Sequence, residues 1–341
     1  MKSTQVTIKD IAEIAGVSFS TVSRSLNGSS QVSEKTRKKI CQIADDLGFE
    51  FNAGARSMIT SRAGTVGIIL PEQYTQVNVN VYHGMLMNSL RTYLEKADVD
   101  LIVSYQENHY SKQNNIRRLI SRKKVDGFIL LVEQLSSETL EILNSRDFPF
   151  VCTHFPPEAE VKDQDVIFSD NYVGGQLVAE HLLEQGKTSF LLLAMEERHT
   201  EFELRERGFT ETVEKAGYKV CRISSNSTYD DARLKMRENI AEARGSDALF
   251  AINDLMALGA MRTLKEEGFN MPGDIAIVGY DDIEFGRYSH PALTSIHQPR
   301  EELAHISCDR LFMQMEKNKL EEGYLKKRIS IQPVLIKRES S

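Results

Sequence analysis

At 341 residues, the chain is long enough for two or three domains, and 41% apolar with 27% charged residues excludes a disordered or fibrous protein. No apolar run approaches the roughly 18 residues of a membrane span, and Met1 to Asp10 lack the apolar core of a signal peptide, so a cytoplasmic location is expected. The net charge of −7 argues against a nucleic-acid binder until it is divided: residues 1–62 hold nine Lys/Arg and six Asp/Glu, and residues 63–341 hold 33 and 43. Only the basic head is expected to meet phosphate. In that head, Thr7 and Asp10 have the spacing of a capping box, and Ile8, Ile11, Ala12 and Ala15 follow at helical intervals. Gly16 stops this helix where a left-handed residue is needed. Ser18 caps a second helix that turns Val22 and Leu26 inward and ends at Asn27-Gly28. Ser33 caps a third, with Ile40, Ile43, Ala44 and Leu47 on one face and Gly48 as its stop. The spacing Ala12-x-x-x-Gly16-Val17-x-x-x-x-Val22 suits a helix-turn-helix, with a small residue for close approach, a glycine turn and branched residues at the crossing. Taken alone, it also fits a helical hairpin with no role on DNA.

The wider string narrows the choice. Val6-Thr7-Ile8-Lys9-Asp10-Ile11-Ala12, Ala15-Gly16-Val17-Ser18, Thr21-Val22-Ser23-Arg24, Leu26-Asn27, Val32-Ser33, Thr36-Arg37 and Asn52-Ala53-x-Ala55-Arg56-Ser57 closely resemble the head of the lactose-repressor/galactose-repressor family. The resemblance implies a DNA-binding regulator whose second helix enters the major groove. Phe19, Ser20 and Arg24 would read base edges, Arg24 by pairing with guanine, while Ser18, Thr21, Ser23 and Asn27 would hold phosphates, with Thr7 beside them. It also implies that residues 50–62 form a hinge helix on DNA, where Asn52, Ala55 and Arg56 contact the duplex and Met58 wedges into the minor groove. Phe51 in place of proline and Gly54 inside the helix depart from the family pattern.

From Thr65 the pattern changes to apolar runs alternating with helices. Strands are expected at Val66–Leu70, Leu101–Val103, Phe128–Val132 and Phe150–Cys152, and then at Phe190–Leu193, Ala248–Ile252 and Ile275–Val278, with a last strand over Ile329–Ile336. Two series of buried parallel strands make two doubly wound lobes, and ligands bind such sheets at the strands' carboxyl ends. The expected fold is therefore an all-α helix-turn-helix head (1–49), a linker (50–62) and an α/β body of two interleaved, periplasmic-binding-protein-like lobes (63–341).

In the body, Arg205-x-x-Gly208-Phe209, placed at a helix start, Asn253-Asp254-x-Met256-Ala257-Leu258-Gly259, Pro272-x-Asp274-Ile275, Gly279-Tyr280-Asp281-Asp282 and Pro291-x-Leu293-Thr294-x-Ile296-x-Gln298-Pro299 extend the same resemblance. It implies that Arg205, Asn253, Asp281 and Gln298 bind a small effector, a sugar or a nucleobase, whose adjacent hydroxyls or ring groups such side chains can grip. Read without it, Asp254 and Asp282 are helix caps, and Arg205 and Asp281 a structural ion pair. His154, Asp170 and Tyr82 are further candidates, although His154 stands near the family's usual aspartate and Tyr74 to Tyr82 lacks its Asn-Pro-aromatic signature. The four scattered cysteines and the His305/Cys308 pair form no metal spacing, so reduced thiols and neither metal nor cofactor are expected. No Walker loop, dinucleotide fingerprint or nucleophile elbow points to an enzyme. A head that covers one half-site implies a homodimer on a palindrome, with no membrane partner. The rival is a transport-type sugar-binding protein, which has no use for the head.

Overall fold

The computed structural model describes residues 6–26, 31–49, 62–71, 77–133, 135–154, 164–197, 199–226, 228–316 and 324–341, leaving aside the side chains of 77–80. The head comprises α1 (Ile8–Ala15), α2 (Phe19–Leu26) and α3 (Glu34–Asp46). Ile11, Ala15, Val22, Ile40 and Ala44 are its buried core. Asp10 Oδ2 accepts from both the backbone N–H and the hydroxyl of Thr7, and Gly16 takes the left-handed conformation at φ 70° that closes α1.

The body is one design used twice. The first lobe runs β1 (Thr65–Leu70), α4 (Val77–Lys96), β2 (Asp100–Tyr105), α5 (Asn115–Ser121), β3 (Gly127–Leu130), α6 (Ser137–Ser145), β4 (Phe150–His154) and β5 (Asp165–Ser169). The second runs α7 (Asn171–Glu184), β6 (Phe190–Met195), α8 (Thr200–Lys215), β7 (Val220–Ser225), α9 (Tyr229–Glu238), α10 (Ile240–Arg244), β8 (Ala248–Ala251), α11 (Asp254–Glu266), β9 (Ala276–Tyr280), α12 (Glu284–Arg287) and β10 (Thr294–His297). The chain then returns, and α13 (Arg300–Glu316) packs on the first lobe. It ends with one strand for each sheet, β11 (Arg328–Ile331) and β12 (Val334–Ile336). The sheet orders are β11-β5-β4-β3-β1-β2 and β12-β10-β9-β8-β6-β7, parallel except where β12 runs against β10. β3, β4, β8 and β9 are buried along their whole length, as strands covered on both faces must be.

The structure corrects several boundaries. Ile329–Ile336 is not one strand, because Gln332-Pro333 interrupts it and carries the chain from β5's edge to β10's edge. β3 ends at Leu130 rather than Val132, and the next residues carry Glu133 to the other lobe. Arg205 lies in the second turn of α8, not at its start. β5, β7 and β10 were not anticipated. The chain thus crosses between lobes three times, near Asp170, Gln298-Pro299 and Gln332-Pro333.

Two glycines bring α7 and α8 into backbone contact. A Cβ on Gly175 would lie 2.1 Å from the carbonyl oxygen of Arg205, and one on Gly208 would lie 2.0 Å from that of Tyr172. Neither obstacle is a movable side chain. Gly208→Ala should therefore cost about 1–3 kcal/mol by forcing the helices apart and shifting Arg205. Urea denaturation of the variant tests this, and an unchanged midpoint would refute the close-packing account.

Candidate functional site between the lobes and on the head

In the head, the outward face of α2 carries Phe19, Ser20 and Arg24, with Phe19 54% exposed although it is aromatic. Val22 and Ser25 face the core, so the 3.6-residue period leaves those three on one open side. Ser18 Oγ accepts from the Thr21 N–H at 3.2 Å and lies 2.8 Å from the hydroxyls of both Ser20 and Thr21. Thr7 is exposed and Ser23 half-buried. Asn27, Asn52, Ala55, Arg56 and Met58 lie outside the described residues. After the linker, Arg62 Nη2 donates to the Met315 carbonyl at 2.9 Å, and the N–H groups of Ala63 and Gly64 donate to Asp126 at 2.7 Å each. The point where the chain joins the first lobe is thereby pinned.

In the body, the strand ends meet across the lobe junction. Arg205 is 1% exposed, with its guanidinium 3.8 Å from the Tyr280 ring centroid and 4.9 Å from that of Phe202. Its Nε donates to Asn171 Oδ1 at 2.9 Å, and its Nη1 donates to the Ile252 carbonyl at 2.8 Å and lies 3.3 Å from Asp281 Oδ1. Gln298 Nε2 donates to the same Asp281 oxygen at 2.7 Å, and Arg300 Nη1 donates to the Asp281 carbonyl at 2.6 Å. Burial nonetheless pushes the Asp281 carboxyl up, against the pull of Arg205 and Gln298. From the first lobe come Tyr82, His83 and His154, whose rings pack together with centroids 4.8–5.8 Å apart. Burial, with His83 and Arg205 nearby, holds His154 well below the usual histidine range and therefore neutral. His154 and Asp281 take φ of 76° and 105° at the ends of equivalent strands of the two lobes. Such backbone is held only where the surroundings over-determine it.

A family model described as bacterial regulatory proteins, lacI family, matches residues 7–52, and one described as a periplasmic binding protein-like domain matches residues 179–341. The HTH-type transcriptional repressor PurR of Vibrio parahaemolyticus is 30% identical over 298 residues, covering 86% of this chain and 87% of that one. This chain belongs to the lacI family of bacterial regulatory proteins. Two solved structures share the lacI-family architecture from end to end. A complex of the transcriptional regulator CelR with cellobiose has a TM-score of 0.71 at 25% identity, covering 98% of this chain and 100% of that one. A lac repressor dimer bound to operator and an anti-inducer has a TM-score of 0.78 at 24% identity, covering 98% of each.

Within this lacI-family body, two of the anticipated ligands also cap helices. Asn253 caps α11, its Oδ1 accepting from the Met256 N–H at 2.8 Å. Asp170 caps α7 through Val173 and also accepts from Ser330 at 3.3 Å. Asp254 accepts from Ser295 and from the Ile283 N–H, and Asp282 is held by Arg338, Arg287 and His297, so both brace the second lobe. Two residues were missed. Glu201, from the first turn of α8, is 6% exposed with Oε2 3.3 Å from His154 Nε2, not aligned for a hydrogen bond. Glu133 from the first lobe accepts from the Thr200 N–H at 2.9 Å and lies 3.0 Å from His199 Nδ1, so it clasps the start of α8. That His199 contact lowers the Glu133 carboxyl and raises His199. The sequence signal for Glu201 was its place four residues before Arg205, on the same helical face.

Proposed function

We propose that this chain is a transcriptional repressor that binds a two-fold symmetric operator as a homodimer in the bacterial cytoplasm, switched by a small neutral effector, most simply a sugar, held between the lobes. The observation that carries the effector reading is a set of buried polar atoms with no hydrogen-bond partner: Tyr82 Oη, Tyr280 Oη, Glu201 Oε2 and Gln298 Oε1. Buried polar groups are nearly always satisfied, so orphans gathered at a lobe junction point to a ligand that satisfies them. Among the described residues, one face of each of these rings is already taken, that of Tyr280 and Phe202 by Arg205 and that of Tyr82 by His154. This leaves less ring surface for a flat base and favours a sugar. The match to the PurR repressors supports a nucleobase as the second reading.

On DNA, Phe19, Ser20 and Arg24 read bases, with Ser18, Thr21, Ser23, Asn27 and Thr7 on phosphates and the linker residues Asn52, Ala55, Arg56 and Met58 in the minor groove. Effector binding repositions the lobes and, through the junction held at Arg62, Ala63 and Gly64, the two heads. Arg24→Ala should weaken operator binding by about 1–3 kcal/mol and relax base preference at one position of each half-site. Footprinting across single-base operator variants checks this. The same pattern of base preference in variant and wild type would remove Arg24 from the groove. Steep salt dependence of wild-type binding separates the regulator from a transport-type sugar binder.

A further inference from the structure

The longer helices of the second lobe start on caps of their own. Asp170 caps α7, Thr228 caps α9 and Asn253 caps α11, each side chain accepting from a backbone N–H in the first turn. α8 is the exception. Its N-cap residue is His199, whose side chain makes no capping bond. A helix start without a cap leaves N–H donors unsatisfied and carries a partial positive charge. The first lobe supplies what is missing. Glu133, in the loop that follows β3, accepts from the Thr200 N–H through Oε1 at 2.9 Å, and its Oε2 lies 3.0 Å from His199 Nδ1. Both oxygens of one carboxylate are thus spent across the junction.

The topology puts this contact where it has leverage. The three crossings leave from β5, β10 and β11, which lie toward one end of each sheet. That end joins the lobes, and they can swing about it. Glu133 follows β3, two strands in from β5, and His199 precedes α8 after β6, three strands in from β10. At about 4.8 Å per strand, the contact lies roughly 10–14 Å from the crossings. A swing that opens the lobes pulls it apart. α8 in turn carries Glu201, Phe202 and Arg205 into the site.

We propose that Glu133 is the latch between the lobes: it caps α8 from the opposite lobe, so the junction cannot open without uncapping the helix that carries Arg205. Glu133 is a positioning residue, acting on the site through α8. The His199 contact that lowers its carboxyl keeps it ionised, the form a helix start favours. Slower release of ligand from the closed site follows from the latch and rests on the effector reading above.

The experiment uses the effector-free full chain with a dye on each lobe, at Tyr110→Cys and Asp230→Cys, in a Cys41→Ser/Cys221→Ser background. Both dye positions are exposed and follow β2 and β7, the sheet edges farthest from the crossings. Diluting labelled into unlabelled chain lets single-molecule energy transfer read one protomer at a time. Glu133→Ala should move the closed-to-open balance about tenfold toward open, and Glu133→Gln, which keeps an acceptor for Thr200, should lie between it and wild type. A distribution unchanged in Glu133→Ala overturns the latch. A Glu133→Gln distribution as open as that of Glu133→Ala overturns the cap as its cause. A thermal-shift panel of D-glucose, D-ribose, cellobiose and adenine is run on the same proteins. Stabilisation by no member overturns the effector reading, while a wider opening in Glu133→Ala still upholds the latch.

Discussion

Arg205→Ala should lose about 3–5 kcal/mol of folding stability, the largest effect expected from one substitution in this body. The side chain is buried against two aromatic rings and ends on three partners. Its removal orphans the Ile252 carbonyl and Asn171 Oδ1 and strips Asp281 of its countercharge where burial already disfavours the ionised form. Each buried acceptor left unmade costs roughly 1–3 kcal/mol, and a cavity opens between Tyr280 and Phe202. Urea melts with an unchanged slope would isolate the stability term. A loss below about 1 kcal/mol would show that the guanidinium is tolerated rather than needed. The same arithmetic applies to Asp281. Asp281→Ala strands a buried arginine, so it confounds effector loss with destabilisation, and Asp281→Asn is the cleaner probe of ligand contact.

Glu201→Gln should become more stable relative to wild type as pH rises. Burial raises the folded-state value of Glu201 to about 7 from an ordinary 4.5, with Arg205 only partly opposing it. A group raised on folding adds stability that is complete below its unfolded value and is lost as pH climbs through its folded value. Glutamine does not titrate, so groups common to both proteins cancel. Wild type should lose roughly 3 kcal/mol against Glu201→Gln between pH 4.5 and about 7, and nothing further above that. Paired urea melts across this range would show the divergence. A flat difference would mean that Glu201 ionises in the folded protein as freely as in the unfolded chain.

Much of this architecture was legible in the sequence because it rests on local chemistry. Gly16, the caps and the period of Ile11, Ala15 and Val22 dictate the head. The runs Val66–Leu70, Phe190–Leu193 and Ala248–Ala251 are buried on both faces and announce parallel strands. β7 escaped because it is an edge strand, where half-buried Val220 and exposed Cys221 and Arg222 dilute the apolar signal. The final strand was misjudged because sequence does not reveal that Pro333 lies between two sheets. In the site, Arg205, Asp281 and Gln298 were anticipated from the family resemblance, and the structure brings them into contact. Glu201 was not anticipated. An acidic residue in the first turn of a helix usually sits there for the helix dipole. Only the packing of a second lobe against it makes it a buried charge, and that packing joins residues far apart in the chain.

The three crossings also govern how the body can be made. Leu303, Ala304, Cys308 and Leu311 of α13 are buried in the same core as Leu86, Leu90 and Leu94 of α4, yet some two hundred residues separate the two helices. On the ribosome, five strands of the first lobe emerge with that face bare and stay so until nearly the whole second lobe has been synthesised. The second lobe needs only β12 to finish. The lobe translated first is therefore completed late, and its uncovered α4 face is the surface a nascent-chain chaperone has longest to engage.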